Sequence, residues 1–185
     1  MSSIRTLYRR TITVPTPSAR LEGSNILRHQ VVRELVSARI VCVLATFDEA
    51  SIHAVPMWFA QDDDGLALAT GSASRKIRNL ERDPRATLVL HDSRPGYEVC
   101  GVSMTGTAEI VRGKHAQRLI ELVHRRYVTG AGEKLPAVAE FLRSDDTALR
   151  FTPLRALTWD ERESDACKAL RTTGGAFPLE PTTPR

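Results

Sequence analysis

LALATGSASRKIRNLERDPRATLVL, residues 66–90, is the stretch on which the reading of this chain turns. Leu66, Leu68 and Thr70 alternate with Ala67 and Ala69 as they would on a strand, and Gly71 permits a turn. Ser72 or Ser74 can cap a helix that begins at Arg75. Asp83-Pro84 stops that helix after about two turns, because the residue before a proline is driven out of the helical region. Ala86–Leu90 then returns to β-rich composition. A helix N-terminus presents unpaired N–H groups and a partial positive charge, to which Arg75 and Lys76 add full charges, so a phosphate monoester suits this turn. The plainer reading is a capped, solvated surface turn whose cations oppose the helix dipole.

Working outward, the period is extended on both sides. Ile40–Thr46, Ile52–Ala60 and Leu66–Thr70 are β-rich runs separated by Asp-Glu-Ala and Asp-Asp-Asp-Gly turns, the pattern of an antiparallel meander. Further strands are predicted near Ala86–His91 and Glu98–Val111, the second long enough to bend around a barrel, with Gly101 and Gly106 easing the bend. Before the meander, Ile26, Leu27, Val31, Val32 and Leu35 form an apolar helical face that Ser24 can cap. After it, Ala116, Leu119, Ile120, Val123 and Tyr127 form another, and Pro136 starts a third in which Val138, Phe141 and Leu142 can face the core. Leu149–Phe151 and Ala156–Trp159 read as closing strands around Pro153. With about six strands, three principal helices, no repeat and no β-α alternation, the fold class is mainly β (α+β), a small closed barrel flanked by helices. Residues 1–23, with Arg5, Arg9, Arg10, Pro15 and Pro17, read as a flexible N-terminal arm. Residues 24–160 form the domain, and polar residues 161–185 are expected to be a disordered tail.

Composition narrows the function classes. At 185 residues and 42% hydrophobic content the chain can bury one ordinary core. Its net charge of +4 allows an anionic ligand, but the basic residues are scattered and no helix-turn-helix, zinc finger or RNA-binding aromatic motif accompanies them, so nucleic acid is not an expected partner. Cys42, Cys100 and Cys167 show no metal-ligand spacing and are odd in number, which points away from a metal site or a disulfide framework and toward a reducing cytoplasm. No run of 18 apolar residues and no signal-peptide core appears, so no membrane partner is expected.

The segment IVCVLATFDEASIHAVPMWFAQDDDGLALATGSASRKIRNLERDPRATLVL, followed by YEVCGVSMTGTAEIV, resembles the pyridoxamine-phosphate-oxidase-like split β-barrel superfamily, whose members bind FMN or the deazaflavin F420. The resemblance implies a six-stranded antiparallel split β-barrel flanked by helices, and a homodimer with the cofactor at the subunit interface. It implies hydride transfer between the cofactor ring and a small organic substrate, with FMN placed first and F420 the alternative. By carry-over, Arg75 and Lys76 match the phosphate-binding basic pair, Ser74 its neighbouring hydroxyl, and Thr70 and Gly71 the strand end near the cofactor. Val55, Pro56, Met57 and Trp58 match the strand beside the ring, and Trp159 an aromatic of the C-terminal strand. ERESDACKALRTTGG offers no counterpart to the arginine-rich RLxP strand of pyridoxamine-phosphate oxidase itself, which points to another substrate.

Each of these residues has a simpler role open to it. Met57 and Trp58 suit a core, Arg78 can pair with Glu81 or Asp83, His53 can be an ordinary strand histidine, and Trp159 can plug the barrel. The alternative function is a non-catalytic flavin or haem carrier or sensor, with His29, His53, His91, His115 and His124 as potential axial ligands.

Overall fold

The computed structural model describes residues 18–63, 65–92 and 98–174. The basic residues of the N-terminal arm, residues 93–97 and the terminal 175–185 lie outside the described residues.

Alternation builds the sheet. In β2 (Cys42–Asp48) the side chains of Cys42, Leu44 and Thr46 are buried, and those between them face outward. β6 (Arg85–Asp92) repeats the pattern with Ala86, Leu88 and Leu90. β1 (Arg20–Glu22), β3 (Ser51–Met57), β4 (Phe59–Asp62), β5 (Gly65–Gly71), β7 (Cys100–Val111) and β8 (Asp146–Asp160) complete one antiparallel sheet in the order β3-β2-β6-β7-β8-β5-β4, with β1 on β8. The architecture is the antiparallel α+β one read from the sequence, but the sheet is not closed. Its two edges, β3 and β4, are consecutive in the chain and joined by Trp58 alone. Pro56 has no N–H to give and sits where that costs nothing, on the edge strand β3.

The described residues hold eight strands where six were expected. The run Ile52–Ala60 divides at Trp58, and β1 pairs Arg20 with Leu157 inside the stretch read as a flexible arm. The two closing runs fuse into the single strand β8, for which Pro153 had suggested a break. A bulge explains the fusion. Thr105 faces Arg155 and Gly106 faces Pro153, so Leu154 is the extra residue. Burial shifts across it from odd positions (Leu149, Phe151, Pro153) to even ones (Ala156, Thr158). Gly106 is required there, because a Cβ would lie 2.0 Å from the Thr152 carbonyl oxygen.

Helices cover the sheet. α1 (Gln30–Ser37) buries Val32, Leu35 and Val36, and the Arg126 guanidinium donates to the Val36 and Ala38 carbonyls at its C-terminus. α2 (Arg75–Arg82) ends at Asp83-Pro84 as predicted and buries Ile77, Asn79 and Leu80. α3 (Gly113–Tyr127) lays Ala116, Leu119 and Val123 on Ala60, Ala67 and Ala148. These alanines let the helix approach closely, so β5 is buried on both faces: Leu66 and Leu68 inward, Ala67 beneath α3. α4 (Pro136–Leu142) buries no residue, and Phe141, expected to face the core, is half exposed. α5 (Asp165–Thr173) falls in the stretch read as a disordered tail. Ser164 Oγ accepts from Cys167 N at 3.2 Å, and Gly174 ends the helix in the left-handed conformation (φ 63°), so both ends are capped.

Candidate functional site

A cavity of about 280 Å³ opens where β3 and β4 part. The edge strands supply Pro56, Met57 and Trp58, and β5 supplies Ala69, Thr70 and Gly71. Lys76 comes from α2, Val123 and His124 from α3, Phe141 from α4, and Asp146 from the start of β8.

Its polar end is built by the β5–α2 turn. Ser74 is the N-cap residue by backbone conformation, yet its hydroxyl caps no helix N–H and instead lies 3.5 Å from Thr70 Oγ1. Lys76 Nζ donates to Thr70 Oγ1 at 2.7 Å, its single hydrogen bond among the described residues. Burial pushes the Lys76 ammonium below the usual lysine pKa, and the nearby charge of Asp146 opposes that shift. A half-buried cation held by one neutral hydroxyl, beside helix N–H groups that no side chain caps, has the chemistry to hold an anion or a ligand oxygen. A Cβ built on Gly71 would meet nothing within 4 Å, so the cavity is open at that point.

The other end is aromatic. Trp58 stacks on Tyr127 with ring centroids 4.8 Å apart and planes 9° apart. Tyr127 is itself locked, donating to the Ile40 carbonyl at 2.7 Å and accepting from Phe59 N at 3.3 Å. Phe141 and His124 meet Trp58 edge-on at 5.7 and 6.5 Å. Buried His124 brings Nε2 to 3.3 Å from Asp146 Oδ2, within ion-pair distance.

Of the residues singled out from the sequence, Pro56, Met57, Trp58, Thr70, Gly71 and Lys76 come together on this wall, with Ser74 behind Thr70. Val55 is half-buried against the main core, and Arg75 turns away to an ion pair with Asp48. Arg82 reaches the other Asp48 oxygen at 3.1 Å and Asn79 Oδ1 at 2.9 Å, so these contacts clamp α2 to the β2–β3 turn. Arg78 donates to the Ala73 carbonyl at 2.6 Å rather than pairing with Glu81 or Asp83. Trp159 lies opposite Gly101, where a Cβ would come within 2.1 Å of its indole, and does not line the cavity; neither does His53. His124, Asp146 and Phe141 are the site members missed as a group. His124 carried a signal, an imidazole beside the apolar stripe of α3 and one turn before Tyr127, where a buried polar ring needs a partner. Nothing local marked Asp146 or Phe141.

The thiols are not part of it. Cys42 donates to the Met57 carbonyl and burial pushes it up to about 12; burial, with the Asp160 charge, pushes Cys100 up to about 11. All three cysteines are free and buried. Among the described residues there is no cluster of histidine, cysteine and carboxylates able to hold a metal, and no helix is long and apolar enough to cross a membrane.

The model of the family described as pyridoxamine 5'-phosphate oxidase matches residues 10–160. The chain belongs to that family. Among solved structures, it is similar to a conserved hypothetical protein of Mycobacterium tuberculosis, 26% identical over 88% of this chain and 98% of that one, with a TM-score of 0.61. The haem storage protein HutZ of Vibrio cholerae shares the fold at 18% identity over 70% and 92%, TM-score 0.57. A structure described as an F420 reductase shares it at 22% identity over 67% and 94%, TM-score 0.51. No curated protein matches the chain.

Proposed function

We propose that this cavity binds the planar, phosphate-bearing cofactor of a flavin- or deazaflavin-dependent oxidoreductase, FMN first and F420 as the alternative. The observation that carries the reading is Lys76, a half-buried cation whose one hydrogen-bond partner among the described residues is a neutral hydroxyl, placed beside an uncapped helix N-terminus. Bound there, the cofactor would supply hydride transfer to or from a small organic substrate. The chain's own residues do the rest. Lys76, Thr70 and the first N–H groups of α2 hold the anionic end or a ring oxygen, while Trp58, fixed by Tyr127, and the β3 backbone at Pro56 and Met57 present a flat wall to the ring. Val123 and Phe141 exclude water.

The cavity of one chain is at the lower limit of the ~300–1,000 Å³ usual for a ligand site. That small volume, and the exposed Leu154 and Leu157 on β8, support the homodimer that would complete the site, in a cytoplasmic protein with free thiols. The test is titration of the purified protein with FMN, FAD and F420, followed by ring fluorescence. Saturable FMN or F420 binding, weakened about 10- to 100-fold in Lys76→Met, is the expected result, from the worth of a charge-assisted hydrogen bond. Binding of none overturns the reading, and binding without reduction by any donor points to a carrier.

A further inference from the structure

We infer that Asn79 is the positioning residue of this site: its buried amide fixes the rotation of α2, so that Lys76 is presented to the cavity and Arg75 is kept at Asp48. The inference rests on the reading of the cavity as a cofactor site, and it names what aims the cation of that site. A helix of two turns depends on tertiary contacts for its form and its orientation, and successive side chains on it point about 100° apart. On that count Asn79 lies about 40° from Arg75 and about 60° from Lys76, one turn further along and between them. A group anchored there sends the two cations to opposite sides.

Asn79 is fully buried on the same short helix as Ile77 and Leu80, which anchor it in the core by apolar packing. What the amide adds to that packing is direction. Its Nδ2 donates to Thr46 Oγ1 on β2 at 3.0 Å, and its Oδ1 accepts from Arg82 at 2.9 Å. A guanidinium has only donors, so the amide oxygen must face Arg82 and the NH2 must face the sheet. Thr46, itself buried, donates its own proton to the His53 carbonyl at 3.4 Å and so keeps a lone pair for Asn79. Arg82 goes on to Asp48 and Glu49, at 3.1 Å each. The bonds therefore run from β3 through β2 into α2 and back to the β2–β3 turn, with donor and acceptor settled at every step. Beyond them Lys76 Nζ meets Thr70 Oγ1 on β5 at 2.7 Å, and a turn of α2 about its axis would move that contact and the Arg75–Asp48 pair together.

The experiment titrates wild type, Asn79→Leu, Thr46→Val and Lys76→Met, with the doubles Asn79→Leu/Lys76→Met and Thr46→Val/Lys76→Met, against FMN and F420 by ring fluorescence. Affinity should fall about tenfold in Asn79→Leu and about threefold in Thr46→Val, and neither change should weaken binding further once Lys76 is methionine. A merely structural role predicts the same loss in both backgrounds. The second readout needs no ligand: labelling of the lysine amines in the unliganded protein, followed by mass spectrometry. Lys76, half-buried and held by Thr70, should react several-fold faster in Asn79→Leu and in Thr46→Val than in wild type, while Lys168 on α5 reacts at its wild-type rate in all three. If Asn79→Leu fails to fold, Thr46→Val, which keeps the shape of the side chain and loses only the hydroxyl, decides. Unchanged affinity in both single variants, equal losses in the Lys76→Met background, or unchanged labelling of Lys76 overturns the assignment. Failure of the wild type to bind either cofactor overturns the cavity reading instead, and the labelling then decides the role of Asn79.

Discussion

The end of the sheet that carries Trp58 and the end that carries Trp159 each combine a tryptophan with basic side chains, and they use them in opposite ways. Beside Trp159, Arg162 donates to both oxygens of Asp160 at 2.8 and 2.5 Å and to Glu34 at 2.8 Å, while Arg171 donates to Glu98 at 2.9 Å. The Arg162 guanidinium holds the Glu34 and Asp160 carboxyls below the usual range, and the two carboxylates raise the arginine in turn. The hollow there, lined by Glu34, Asp92, Glu98, Cys100 and Arg162, is about 440 Å³, larger than the one at Trp58. Its cation is already matched by carboxylates. At the Trp58 end Lys76 has a hydroxyl and no carboxylate within ion-pair distance among the described residues. The difference teaches that a larger hollow is not thereby the better candidate: what favours the Trp58 end is a half-buried cation with no carboxylate matched to it.

The comparison breaks most visibly at a glycine. Gly101→Ala puts a Cβ where the Trp159 indole lies, so the ring must leave its seat. The expected cost is about 2–3 kcal/mol, a fall in Tm of roughly 4–12 °C for a chain of this size. Ligand affinity at the Trp58 end should be unchanged, and calorimetry together with the FMN or F420 titration checks both.

Exchanging the two cations sharpens the contrast. Lys76→Met should leave Tm within about 2 °C, since an exposed or poorly paired cation contributes little to stability, while weakening cofactor affinity as given above. Arg162→Met should do the reverse, lowering stability by about 1 kcal/mol, because its ion pairs are partly solvated, with affinity unaltered. Equal losses of affinity in the two variants would erase the distinction between the ends.

The smallest effects are in pH, and they run in opposite directions. Glu34 and Asp160 have pKa values depressed on folding, so their contribution to stability is fully present above the ordinary carboxylate range of about 4 and is lost as pH falls through the depressed values. Arg162→Met should therefore flatten the loss of stability below about pH 4. The Lys76 pKa is depressed too, but here the charged form is the one that binds. Anion binding should fall as pH rises, before the ordinary lysine value of about 10.4 is reached, and Lys76→Arg should remove that alkaline loss. Binding measured from pH 6 to pH 10 separates the two variants.

Much of this was readable in advance, and for a common reason. The bounds of α2 follow from Gly71, Arg75 and the Asp83-Pro84 stop, all within a dozen residues, and the alternation in β2 and β6 is visible to the eye. The errors have equally local causes. Pro153 imitates a strand break because the bulge that tolerates it needs Gly106 on the neighbouring strand. The polarity of residues 161–173 hid α5, although Ser164 and Gly174 were both present as caps. The helical spacing assigns Phe141 to the core, but it reaches only Trp58 and His124 at the cavity and stays half exposed.

At the site the division is sharper still. Pro56, Met57, Trp58, Thr70, Gly71 and Lys76, which the resemblance singles out, lie on two short segments that the pairing of β4 with β5 brings to one cavity. What each charge does there was decided elsewhere in the chain. Arg75 and Lys76 are adjacent and alike in sequence, yet one meets Asp48 across the β2–β3 turn and the other faces Thr70, because successive helix residues point about 100° apart. By itself, then, the sequence determined most of the strands, the bounds of the short helix α2 and the family, since periodicity and turn chemistry act over a few residues. Tertiary structure alone decided which cation stays unpaired and which carboxylate faces the buried imidazole, since those choices depend on contacts between residues 22 to 27 positions apart and on where the open sheet leaves its gap.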